Sequence, residues 1–153
     1  MKLLPFFVPT TNMNNRLAQQ LRCAQFTAHA YHNRISGPSF FGDHSYLGEL
    51  YSAYESAYDT LIELSLANQD PLNPFEITLD AGSESTEFSS RTTATEMFAA
   101  LLILERSMSA TIEDLLDSED ETSADLGEGM ETFLQDLARD SLSRQYKLQQ
   151  RIV

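Results

Sequence analysis

Residues 29–63 read HAYHNRISGPSFFGDHSYLGELYSAYESAYDTLIE, and they hold all three histidines of the chain, His29, His32 and His44, together with Glu49, Glu55, Asp59 and Glu63. Imidazole with carboxylate is a donor set suited to iron or another divalent first-row metal. Ser36, Gly37 and Pro38 interrupt the stretch: glycine leaves a helix in a left-handed conformation and proline cannot continue one. The stretch therefore reads as the end of one helix, a tight turn and most of a second helix.

Working outward, Leu17, Leu21, Ala24, Ala28, Tyr31 and Ile35 alternate steps of four and three, so the first helix is expected from about Met13 to Ile35 with one buried stripe. The second helix, starting near Ser39, carries Leu47, Leu50, Tyr54, Tyr58, Leu61 and then Leu64 or Ser65, and ends at the polar run from Asn68 to Pro71. Residues 70–91 hold prolines, a glycine and many hydroxyl residues, and read as a long connection with room for a short element at Pro74 to Leu79. Met97, Leu101, Leu104, Met108, Ile112 and Leu115 mark a third helix that stops in the acidic run Asp117 to Glu121. Thr122 with Asp125 three residues on reads as the capped start of a fourth, continuing through Leu126, Met130, Phe133, Leu137 and Leu148. Two short turns around one long crossover give an all-α, ferritin-like four-helix bundle over residues 13–150, preceded by an extension over residues 1–12.

Composition narrows the function classes. One cysteine, Cys23, leaves no intrachain disulfide framework or cysteine-rich zinc site, which fits a reducing cytoplasm. The apolar stretch Leu3 to Val8 is broken by Pro5 and is too short to span a bilayer, so a cytoplasmic chain without a membrane partner is expected. The formal net charge is −13, and no lysine or arginine occurs between Ser107 and Ala138. Such a surface attracts cations and repels nucleic acid. An EF-hand-like window from Asp117 to Glu128 lacks glycine at its sharp turn, where Thr122 stands, and is set aside as a calcium loop.

Taken singly, a histidine or glutamate on a helix is most often a satisfied surface group. Spacing changes that. A tight hairpin brings His32 close to His44, whereas Asp59 lies fifteen residues beyond His44, about 22 Å along a helix axis. A metal reaches only about 2 Å to its ligands. The histidines and the Asp59/Glu63 pair of one chain therefore cannot share an ion; either they are unrelated groups or the site lies between two subunits. No histidine follows a glutamate by three residues, so a di-iron site of the Glu-x-x-His kind inside one bundle is not expected.

The spacing resembles the Dps, or miniferritin, family: His32, eleven residues, His44, three residues, Gly48, ten residues, Asp59, three residues, Glu63, with Gly37-Pro38-Ser39-Phe40-Phe41 in the turn. Glu121-Thr122-Ser123-Ala124-Asp125-Leu126 is similar to the opening of the family's fourth helix. The resemblance spans residues 13–150. It implies a shell of twelve identical subunits in which His32 and His44 of one face Asp59 and Glu63 of a two-fold neighbour, bind ferrous iron, oxidise it with peroxide or oxygen and collect ferric mineral. It also implies cation entry past Asp120, Asp125 and Glu128 at three-fold pores. Two departures stand out: Gly48 occupies the family's first carboxylate position, and Asn33 stands where a tryptophan often follows the first histidine. His29 and Glu49 are the candidates for additional ligands. The Gly48-Glu49-Leu50-Tyr51 stretch also resembles ferritin-like proteins of some tailed bacteriophages, which would place the protein in a host cytoplasm.

DNA binding, the family's other familiar activity, is not expected, because only Lys2 is basic among the first fifteen residues. Arg139, Arg144, Lys147 and Arg151 read instead as cations complementing the dipole of the last helix. The reading from a different class is a non-catalytic assembly protein that keeps the shell and has lost the chemistry at Gly48.

Overall fold

The computed structural model describes the backbone of residues 10–153 and the side chains of residues 13–117 and 127–153. Its regular structure is all helical among the described residues: α1 Thr10–Arg34, α2 Phe40–Ala67, α3 Pro74–Ser85 with a 3-10 turn Thr86–Phe88, α4 Ala94–Leu126 and α5 Glu128–Ile152. No described helix is long and apolar enough to cross a membrane.

Contacts fix the directions. Gln25 meets Glu55 and His32 meets His44, so α1 and α2 are antiparallel. Asp43 meets Arg151 while Leu64 lies against Gly129, so α2 and α5 are antiparallel too. Glu105 contacts Ser141 and Arg144, and α4 packs along α5. Both turns being short hairpins, α2 and α4 must run the same way. The link between them has to climb the whole bundle, which for the 28 residues of α2 is about 42 Å.

The expected stripes are buried: all six of the α1 positions, Leu47 to Leu61 and Ser65 on α2, and Met97 to Leu115 on α4. Gly37, at φ 111°, makes the first turn, a backbone angle that side chains resist. Thr93 and Glu96 form a reciprocal capping box that starts α4.

Three expectations need correcting. The climbing link is not mostly irregular, because Asn73 accepts from the Phe75 and Glu76 amides, Pro74 takes the first helical position, and α3 extends to Ser85. Only Ile77 and Ala81 of α3 are buried, and it lies against α1, so a two-residue stripe left no readable period. The third helix does not stop in the acidic run, nor does the fourth start at Thr122: α4 continues to Leu126, and the break is Gly127, at φ 77° and ψ 154°. Glycine alone among these residues adopts that geometry without strain. On α5 the buried face is Met130, Leu134, Leu137, Ser141 and Leu148, with Phe133 only partly covered. The side chain of Leu126 lies outside the described residues.

One polar cluster sits inside the bundle. Glu105 is fully buried and accepts from Tyr54 of α2, from Ser141 of α5 at 2.8 Å and from the Arg144 guanidinium. Burial, with the Glu105 charge adding to it, holds the Tyr54 phenol well above its ordinary range, so it stays a donor. Burial works against the Arg144 charge, and the Glu105 carboxylate together with Tyr54 and Asp140 more than offsets that. The cluster ties three helices at one level. Cys23 is buried, and burial together with nearby Glu84 pushes its thiol up to about 12, so it behaves as a core residue.

Removing one partner of such a pair strands a charge in the core. Arg144→Met is expected to cost about 3–5 kcal/mol, and the double change Glu105→Leu with Arg144→Met distinctly less. Urea unfolding at fixed protein concentration checks this; a single variant within about 1 kcal/mol of the parent would contradict it.

Candidate metal half-sites

The last turn of α1 and the first turns of α2 meet across the Gly37 turn, and there two histidines lock each other. His32 Nδ1 lies 2.8 Å from the carbonyl oxygen of His44, and His44 Nδ1 lies 3.0 Å from the carbonyl oxygen of His32. A carbonyl only accepts, so each Nδ1 must carry the hydrogen. In the neutral rings the lone pair is then on Nε2, the nitrogen left for a metal, and backbone carbonyls commonly orient ligating histidines in this way. The His32 carbonyl is one of the last four of α1, which no intrahelical N–H reaches, so the His44 ring also finishes that helix.

The rings are held face to face as well. His32 and His44 stack at 3.7 Å between centroids, and Phe40 covers the other side of His44 at 4.9 Å. Tyr51 meets His32 edge-on at 5.4 Å and stacks on His29 at 4.1 Å. The result is an aromatic column from α1 and α2 in which both ligand candidates have fixed orientation. Two donors of defined tautomer, half exposed, suit a divalent first-row ion but do not complete its coordination.

Asp59 and Glu63 are exposed, one turn apart on α2, and in no ion pair among the described residues. The continuous helix from Phe40 to Ala67 puts Asp59 about 22 Å and Glu63 about 28 Å from His44 along its axis. Accordingly, among the described residues no three histidine, cysteine or acidic side chains converge on one point. His29 is exposed and lies 6.4 Å from His32, beside the pair rather than within it. Glu49 is turned away: it lines a groove with Tyr46, Asp140, Arg144 and Lys147 on the α5 side of α2. Gly48 lies under His32; a β-carbon there would meet only that ring, at 3.4–3.5 Å, an ordinary contact. Inside the bundle, the Glu105 carboxylate is taken by three protein donors.

Of the acidic positions read as a cation path, Glu128 is exposed in the first turn of α5, and the side chains of Asp120 and Asp125 lie outside the described residues. Among the C-terminal cations, Arg144 is paired with Glu105, and Arg151 grips Asp43 through two hydrogen bonds of 2.9 and 2.7 Å. Sequence spacing finds the histidines but not Tyr51 and Phe40, although Tyr51 stands seven residues after His44 and Phe40 four before it, both on the same helix side.

Nitrogen NMR of histidine-labelled protein is expected to show His32 and His44 as Nδ1–H tautomers when neutral. Nε2–H tautomers would remove the lone pairs from the metal-facing side and contradict the arrangement.

No family model matches the sequence, and no curated protein matches it. Solved structures do. The Dps protein from Vibrio cholerae O1, described as a member of a broad superfamily of ferritin-like diiron-carboxylate proteins, superposes with a TM-score of 0.79 at 21% identity, over 94% of this chain and 89% of its own. Dps from Staphylococcus aureus does so with a TM-score of 0.74 at 19% identity, over 93% and 95%. Helix order, the long crossover and these superpositions agree: the chain is an all-α protein with the ferritin-like fold of Dps proteins.

Proposed function

We propose that the chain assembles into a closed shell of twelve copies and that, at its two-fold contacts, His32 and His44 of one subunit face Asp59 and Glu63 of another. Ferrous iron is the substrate. The observation that carries this reading is the locked histidine pair, which offers two Nε2 lone pairs with no acidic ligand in reach among the described residues, while the rigid helix that carries His44 also carries Asp59 and Glu63, exposed and in no ion pair among those residues. Each half is incomplete alone, and a two-fold contact makes each complete the other, because an isologous interface repeats every contact.

Two further features support assembly. Phe41 and Leu66, near opposite ends of α2, and Phe75 and Leu79 of α3 are 65–87% exposed in the single chain, large apolar side chains that neighbours in a shell would cover. Structural neighbours are Dps proteins, and one is described as belonging to the diiron-carboxylate proteins. The chemistry is electron transfer from iron: two ferrous ions each give one electron, and peroxide takes both with two protons to form two waters. The protein supplies imidazole and carboxylate ligands that hold the ions together and favour the ferric product. Ferric mineral then collects inside the shell, limiting iron and peroxide damage. Asp120 and Asp125, in the last turns of α4, and Glu128, in the first turn of α5, draw cations inward.

Sedimentation should give a particle of about twelve 17.2 kDa chains. Anaerobic ferrous titration followed by peroxide should show saturable oxidation, slowed about tenfold or more by His44→Ala or Asp59→Ala. A monomer at micromolar concentration, or oxidation unchanged in both variants, sinks the reading.

A further inference from the structure

Gly48 leaves the histidine half-site without a carboxylate, and Tyr51, three residues further along α2, is an oxygen-bearing side chain whose ring meets His32. Side chains on a helix lean toward its N-terminus, so a residue covers the turn preceding its own backbone. Tyr51, three residues after Gly48, therefore leans back toward that turn, and its ring lies edge-on to His32 at 5.4 Å and stacked on His29 at 4.1 Å. The stack fixes the ring; Gly48 presents no side chain to compete for the space. The Tyr51 ring is half-buried, and its hydroxyl has no hydrogen-bond partner among the described residues. The Tyr31 hydroxyl donates to the Phe88 carbonyl at 2.9 Å and that of Tyr54 to Glu105, whereas those of Tyr46 and Tyr58 are buried without a partner among the described residues.

From this placement we infer that the Tyr51 phenol is an oxygen ligand to iron, taking the part that a carboxylate at position 48 would play. The inference rests on the shared histidine and carboxylate site proposed above. A phenolate is a hard anionic oxygen and prefers the ferric to the ferrous ion, so it binds after the metal has been oxidised. The phenol O–H bond breaks, its proton goes to solvent and an oxygen–iron bond forms; Tyr51 itself is neither oxidised nor reduced. His29, stacked on the ring, is a positioning residue for it rather than a ligand.

The test is optical. Whole protein loaded with a few ferrous ions per chain and oxidised with peroxide is expected to show a broad visible phenolate-to-iron charge-transfer band with matching resonance Raman modes of a tyrosinate ring. Tyr51→Phe keeps the ring and its stacking, so it should fold and assemble as the parent does, and yet lose the band; Tyr46→Phe and Tyr54→Phe should keep it. Gly48→Asp added to Tyr51→Phe should restore tight iron binding without the colour. If the parent binds iron in a manner abolished by His44→Ala and by Asp59→Ala but shows no band, or if Tyr51→Phe keeps the band, the role of Tyr51 is overturned while the shared site stands. If the parent binds no iron, or binds it equally in His44→Ala and Asp59→Ala, both are overturned.

Discussion

A continuous helix is a ruler, and the rigidity of α2 is the constraint on which the remaining structure and its reading depend. Its rise of about 1.5 Å per residue keeps His44 and Asp59 far apart however the side chains turn. Bending α2 enough to bring them together would break several backbone hydrogen bonds in a helix whose buried face, from Leu47 to Ser65, is packed along its whole length. The two halves can therefore meet only across a boundary between molecules. The same length sets the topology, since α2 and α4 run in parallel and the chain must climb back past α1 through α3 before α4 begins.

Within that frame, precision at the histidines comes from backbone rather than from other side chains. Each ring donates to the carbonyl of the residue carrying the other ring, so moving either helix end would cost both hydrogen bonds at once. The neighbouring Asp43–Arg151 pair ties the first turns of α2 to the end of α5, close to His44. The bundle interior is treated differently: Glu105 receives a guanidinium, a hydroxyl and a phenol, donors that satisfy a buried carboxylate and weld α2, α4 and α5 together. The chain thus spends its interior carboxylate on cohesion and leaves Asp59 and Glu63 at the surface.

Much of this is legible in the sequence where periodicity is long. Leu17 to Ile35 and Met97 to Leu115 each repeat six times in steps of three and four, and all twelve are buried. Legibility fails where signals are short or ambiguous. α3 buries only two residues, so its stripe is shorter than the pattern needed to see it. Thr122 with Asp125 imitates a helix cap inside a stretch that stays helical, whereas the true break is a single glycine in acidic surroundings. The ligand spacing from His32 to Glu63 can be read directly, but the reciprocal hydrogen bonds cannot, because they depend on how the Gly37 turn sets two helix ends against each other. The direction of Glu49, toward α5, likewise follows from packing rather than from its place in the chain.

The claim at the centre is that one metal site takes ligands from two polypeptides, and mixing inactive variants tests it most directly. His44→Ala and Asp59→Ala subunits, each unable to bind iron alone, are dissociated, combined in equal amounts and reassembled. Random pairing across a two-fold contact leaves one intact site in each mixed pair, so about a quarter of the parent's binding sites should return. If no binding returns on mixing although the shells reform, the ligands do not come from two chains, and the account fails.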